Sequence, residues 1–220
     1  MSRVADDLYL IAHDERSGRC RVPERVAGLG LAAALLGELM LSGHLTLHAG
    51  GVYPLPIQDP VQGSPVEPGD RLLQAVLHLV RDPRQDRDLG IWLTFLAAEA
   101  VPDVRRRLLE DGVLARVAVR RVGVRRVLHL PTDPNAAVWP GIRLAGLLSR
   151  RDPVTAADAA LVCIVAAIGL LGHVLWFPDE HAPGWEHTEA IRRSLPPVLA
   201  HLVARAEAAV GDRVMTHRSG

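Results

Sequence analysis

Residues 159–172, "AALVCIVAAIGLLG", carry no charge, and the run is closed at its ends by Asp158 and His173. A helix that crosses a bilayer needs roughly 18 to 20 apolar residues, so this run is too short. It reads as a helix enclosed in a protein core, in a chain that does not span a membrane. A helix that is apolar on every side must be covered on every side. No other feature constrains the fold as much, because it asks for several amphipathic elements around one centre. The chain has the means. Apolar residues make up 49% of its 220 positions, which suits one domain of generous size or two small ones packed tightly.

Helical patterns dominate the rest. "DLYLIAHDERSGR" (7–19) starts as a short strand and ends in a turn at Ser17–Gly18. "PERVAGLGLAAALLGELMLSG" (23–43) is a helix, with Pro23 suited to its first turn and Gly43 to its stop. "HLTLHAGGVYPL" (44–55) alternates about Gly50–Gly51 as a small hairpin. Pro54, Pro56, Pro60, Pro65 and Pro68 exclude a helix from the next segment. Asp70 opens a helix over 70–82, and 88–100 and 101–112 read as two more. A strand pair follows at 114–130, then helices at 137–150, 155–176 and 186–210, the last interrupted at Pro196–Pro197, and a frayed tail at 211–220. Two segments echo each other: a helix, a glycine and a small hairpin occur at 35–55 and again at 104–130. No long linker separates them, so the chain reads as one mostly helical domain.

Global charge is balanced at 25 basic against 25 acidic residues, and every basic one is arginine. Such a balance points to no particular polyanionic partner, so local distribution has to carry that argument. It does so at "VRRVGVRRV" (119–127), nearly the same in both directions about Gly123. From Leu114 to Leu130 there are five arginines, Arg116, Arg120, Arg121, Arg125 and Arg126, and no acidic residue. Neighbouring residues on a strand point to opposite faces, so both faces of this hairpin are positive. One or two charges protect a strand edge from aggregation; five without a counter-ion exceed that need.

Signals for catalysis are thin. His44 and His48 flank a predicted strand, about 13 Å apart at strand rise, and read as exposed strand histidines rather than ligands. "GLG" at 28–30 falls in a helical pattern, where close packing explains it better than phosphate binding. Glu38, alone among apolar residues, reads as a hydrogen-bonded structural carboxylate, or else as an acid with a shifted pKa. Trp139, Trp176 and Trp185 read as core or core-edge residues. Cys20 and Cys163 are too few and too far apart for a disulfide framework or zinc site, and Cys163 reads as a buried free thiol. No metal or cofactor is expected. The start "MSRVADDLYLIAHDE" has no basic segment followed by an apolar one, so a cytoplasmic protein is expected. The exclusive use of arginine, with abundant Ala, Leu, Val and Gly, resembles a GC-rich bacterial coding bias.

"ELMLSGHLTL" after an alanine-rich helix, "VRRRLLEDGVL" leading into a hairpin and "HLPTDP", and then a central apolar helix together resemble the Golgi phosphoprotein 3 family, which has bacterial members. The resemblance runs from about Leu8 to about Val210. It implies a mainly α-helical single domain with a central buried helix and a protruding β-hairpin. It also implies no enzymatic activity, and peripheral membrane binding through phosphatidylinositol 4-phosphate, with the hairpin helping membrane contact or self-association. In the family's register the tryptophan of the headgroup pocket falls near Pro23, and its arginines near Ala32, Ala98 and Val101. Arg21, Arg25, Arg105 and Arg106 lie nearby as the possible headgroup pocket of this chain.

The expected function is therefore that of a non-enzymatic peripheral protein on the inner face of the membrane. Arg116, Arg120, Arg121, Arg125 and Arg126 would meet anionic phospholipid headgroups, and Val122 and Val124 would enter the interface. Each basic residue near an anionic surface contributes about 1 kcal/mol before screening, and each buried valine on the order of 1.5 kcal/mol. One alternative is a winged-helix-like nucleic-acid binder with 101–111 as the reading helix, which Asp103, Glu110 and Asp111 disfavour. Another is a dimerising structural or adaptor protein, a homo-oligomer joined through the hairpin.

Overall fold

A computed structural model describes residues 3–56, 67–121, 124–176 and 183–216. The protein is mainly α: nine helices and two two-stranded antiparallel hairpins are present among the described residues. Two helices form the centre. In α2 (Glu24–Leu41) every residue from Val26 to Met40 is buried, and in α6 (Ala156–Ala167) every residue from Ala159 to Val165 is buried. Around α2 pack α1 (Val4–Ala12), α3 (Arg71–Arg81), α4 (Leu89–Glu110), α6 and α9 (Pro197–Thr216). The enclosed apolar helix expected from the sequence is present, but it has a partner. Alanine and glycine let α2 lie close to its neighbours: a Cβ at Gly28 would collide with the Ala97 carbonyl oxygen of α4, and one at Gly30 would meet Ile168. The "GLG" segment is a packing device, as its helical context suggested.

Several boundaries differ from expectation. The first element is a helix rather than a strand. Val4, Ala5, Leu8, Tyr9, Ile11 and Ala12 are buried at helical spacing, and Asp6 and Asp7 favour the positive end of the helix dipole. A short apolar run such as "LYLIA" does not distinguish the two periods. The two helices expected at 88–100 and 101–112 are one, because Pro102 is accommodated inside α4. The residue whose carbonyl loses its partner to Pro102, Ala98, is exposed, so water can replace the missing bond. The helix expected over 155–176 is divided at Ile168–Leu170 into α6 and α7 (Leu171–Leu175). α5 (Pro134–Arg150) and the break between α8 (Pro183–Ser194) and α9 agree with expectation, whereas the expected frayed tail continues α9 to Thr216.

The internal echo is real. α2 leads into β1 (Leu45–His48) and β2 (Gly51–Pro54), and α4 into β3 (Leu114–Arg121) and β4 (Val124–Pro131). Both helices end in the same hydrogen-bonded stop. Gly43, at φ 77°, donates to the Met40 carbonyl and His44 to that of Leu39; Gly112, at φ 72°, donates to Leu109 and Val113 to Leu108. That left-handed position strains any residue with a Cβ, which explains glycine at both sites. The turn also folds His44 inward. It is 5% exposed, with its Nδ1 2.9 Å from the Ser42 Oγ, so only His48 of the expected exposed pair is exposed.

Candidate functional site

The second hairpin leaves the body at a pinned root. Leu114 is buried, β3 touches α4, and Thr132 donates through its backbone N–H to the Val113 carbonyl and through Oγ1 to that of Gly112. Beyond the root Arg116, Val117 and Ala118 are exposed on β3, and Arg126 and Val127 on β4. Paired residues share a face. One face carries Leu114, Arg116 and Ala118 opposite Pro131, His129 and Val127; the other carries Ala115, Val117 and Val119 opposite Leu130, Leu128 and Arg126. Arginine thus stands on both faces, as strand alternation requires. The backbone register continues with Arg120 opposite Arg125 and Arg121 opposite Val124. The side chains of those four, and all of Val122 and Gly123 at the tip, lie outside the described residues. Among the described residues no carboxylate is within ion-pair distance of Arg116 or Arg126.

Several arginines elsewhere are occupied. Arg21 reaches Glu15 at 2.9 Å and Asp14 at 3.4 Å, Arg143 pairs with Asp7 and Asp158, and Arg192 pairs with Glu207 and Glu189. Of the four candidate pocket residues, Arg25 is exposed in the first turn of α2. Arg106 is exposed on α4 and paired with Asp103 at 2.7 Å. Arg105 is half-buried beside Tyr9. Arg21 and Arg106 line separate clefts. Ala32 and Val101, two of the positions at which the resemblance would put a headgroup pocket, are buried.

Sequence reasoning singled out Glu38 but missed its company. Arg107, 6% exposed on α4, places Nη2 2.6 Å from Asp6 and Nη1 3.2 Å from Asp70 and 3.7 Å from Glu38. Glu38 Oε1 accepts the Ala5 N–H at 2.8 Å, and Arg3 closes the cluster on Asp6, Asp70 and Asp111. Four helices are tied together at this point. Burial pushes the Glu38 carboxyl up to about 7, against the opposing pull of the Ala5 N–H and Arg107. Both readings of Glu38 therefore hold: it is hydrogen-bonded and its pKa is shifted. Burial likewise raises Asp6, although Arg107 and Arg3 pull it down. Cys163 is the expected buried free thiol, pushed up to about 11 by burial. The tryptophans divide differently from expectation. Trp185 packs against the core, but Trp139 and Trp176 are 60% and 80% exposed, on the open side of α5 and at the end of α7.

A mainly helical body with a hairpin at 114–131 is what the resemblance implied. The family model described as Golgi phosphoprotein 3 (GPP34) matches residues 4–214. The chain belongs to the Golgi phosphoprotein 3 family. No curated protein matches it. Golgi phosphoprotein 3 is not known as an enzyme family, and no helix among the described residues is long and apolar enough to cross a membrane. Within that frame the hairpin is the most distinctive chemical surface. It is permanently cationic, because guanidinium groups do not lose their protons, and the stretch 114–130 holds no counter-ion of its own.

Proposed function

We propose that this Golgi phosphoprotein 3 family member is a non-enzymatic peripheral protein that binds the anionic phospholipid headgroups of the inner membrane face through its second hairpin. One observation carries the reading: the hairpin's described arginines, Arg116 and Arg126, lack carboxylate partners, whereas buried Arg107 has three. An unpaired guanidinium gains most from an anionic surface, since it gives up no existing pair. Arg120, Arg121 and Arg125 add charge in the same hairpin, and Val122 and Val124 add apolar contact near its tip. A nucleic-acid reading draws less support. The helix it needs is the C-terminal half of α4, where Arg107 is buried and Arg106 paired.

Vesicle flotation tests the proposal. The wild type should float with phosphatidylcholine vesicles that contain phosphatidylglycerol and not with phosphatidylcholine alone, and salt should weaken the association. Changing Arg120, Arg121, Arg125 and Arg126 to Glu should abolish flotation. Flotation that survives this variant sinks the hairpin reading. A further gain with phosphatidylinositol 4-phosphate at equal charge would extend the family's headgroup preference to this chain. Retention of random duplex DNA at low salt, with no flotation, would favour the nucleic-acid alternative, and concentration-dependent mass in light scattering the dimer.

A further inference from the structure

A cleft of about 300 Å³ opens between the end of α1, the first half of α5 and α7, at the small end of the range for ligand pockets. Leu10, Ile11, Val138, Ile142 and Val174 give it apolar walls, and Asp14, Glu15, Arg21 and His173 supply its polar groups. Trp176 completes the lining from the end of α7. Its ring is exposed and its backbone is left-handed, at φ 61°, where a helix end ordinarily carries glycine. Gly141 lines the same cleft from inside α5. A Cβ at that position would meet nothing within 4 Å, so packing does not require a glycine there. Nor does the helical backbone, which glycine weakens. What the missing side chain does is leave the cleft open.

We propose that this cleft binds a small organic ammonium, a primary amine carried on one aromatic ring or a compact aliphatic body. Charge decides the class. The two carboxylates of the lining share one guanidinium: Arg21 Nη2 donates to Glu15 at 2.9 Å, and Nη1 lies 3.4 Å from Asp14. One negative charge in the lining is therefore unbalanced. Asp14 stays ionised, because the Ser17 hydroxyl and the N–H groups of Ser17 and Arg16 donate to its Oδ1 and hold it below the ordinary carboxylate range. Glu15 gives Oε2 to Arg21, while its Oε1 has the Arg16 Nε 3.9 Å away. Arg16 is outside the lining and 90% exposed, so its pull is slight. His173 adds no second cation at pH 7. Burial, and then Arg21, lower its pKa against the opposing pull of Glu15 and Asp14. An ammonium at Glu15 Oε1 restores the balance, with its apolar body against Val138 and Ile142 and the Trp176 ring at hand for a cation–π contact. An anion would face both carboxylates, and an uncharged ligand would leave Glu15 unmatched. The site takes no part in the binding proposed for the hairpin.

Three probes separate charge from shape: 2-phenylethylammonium, 2-phenylethanol and 3-phenylpropionate share a ring and a two-carbon chain and differ in the terminal group. Each is titrated into the full chain while NMR follows the His173 ring and the Ile142 methyl groups. The ammonium should shift both sets of signals to saturation, with a Kd at least about tenfold below those of the alcohol and the carboxylate, the effect of one charge-assisted contact. Glu15→Gln should bring the ammonium down to the level of the alcohol. Gly141→Leu places a side chain in the open space and should abolish the shifts for every probe, while its thermal unfolding midpoint stays at or above that of the wild type. That variant leaves the carboxylates untouched and decides the matter should Glu15→Gln fail to fold. No saturable shift with the ammonium overturns the proposal. So does alcohol or carboxylate binding as tight as that of the ammonium, or ammonium binding undiminished in Gly141→Leu.

Discussion

Arg107 and Arg126 are chemically the same group in opposite surroundings. Arg107 is 6% exposed and faces Asp6, Glu38 and Asp70; Arg126 is exposed on a strand pair with no acidic residue in its sequence. In the first place the charge is satisfied inside the chain and fixes how helices meet. In the second it is available to something outside. Counting arginines would treat these regions alike, and the balanced net charge conceals both. The test of the difference is that variants in one region should move stability and leave membrane binding alone, and variants in the other should do the reverse.

The largest effect is expected at Arg107. Arg107→Met removes the central positive charge and leaves buried Glu38 and half-buried Asp6 and Asp70 with Arg3 alone at the rim. Breaking a buried ion cluster from one side costs about 3–5 kcal/mol, which a urea unfolding curve would show as a lower midpoint. The protein that remains folded should float with anionic vesicles as the wild type does. A loss below about 1 kcal/mol would mean that the cluster is not what joins α1, α3 and α4 to α2.

Next in size is a pH effect in the same cluster. The folded Glu38 carboxyl titrates near 7, above its ordinary value of 4.5. The folded state therefore holds this proton more tightly than the unfolded one. Stability associated with the proton is complete below about pH 4.5 and is lost as the pH rises through about 7. The loss is at most about 3 kcal/mol. Glu38→Gln cannot titrate and should still accept the Ala5 N–H, so its stability should vary less between pH 5 and 8 and exceed that of the wild type at pH 8. Asp6 is raised in the same direction, mainly by burial, so it acts with the same sign where it titrates. A variant whose stability falls with pH as steeply as the wild type would remove Glu38 as the source.

How these regions could be read from sequence differs for the same physical reason. The hairpin is local: strand pairing, alternation of faces and lack of acids all lie within 114–130, and the structure reproduces them with an end shift of one residue, to Pro131. Helix stops at Gly43 and Gly112 are equally local. The buried cluster is not, because its members are spread over positions 6, 38, 70 and 107 and meet only after four helices pack. The one trace in the sequence was Glu38, the sole charge between Val26 and Leu41. "RRR" at 105–107 looked uniform, yet the turn of the helix sends Arg105 toward Tyr9, Arg106 to solvent and Arg107 into the core. The strand expected at the N-terminus failed for a related reason: α1 becomes legible only once α2 and α6 stand against its buried face.

The smallest effect separates the hairpin from surface charge in general. Arg126→Gln removes one unpaired guanidinium and should weaken binding to anionic vesicles by about 1 kcal/mol, roughly fivefold in Kd. Its stability should stay within about 0.5 kcal/mol of the wild type. Arg150 is the control. It is also exposed, but Asp152 holds it at 2.8 Å, and a pair of this kind contributes only about 0–1 kcal/mol to stability. Arg150→Gln makes the same change in net charge as Arg126→Gln, so a membrane that responds only to total charge would bind both variants equally weakly. If the hairpin is the contact, Arg150→Gln floats like the wild type and only Arg126→Gln loses ground. Equal losses would mean that attraction is spread over the whole surface, and the contrast between paired and unpaired arginines would not determine where the protein meets the membrane.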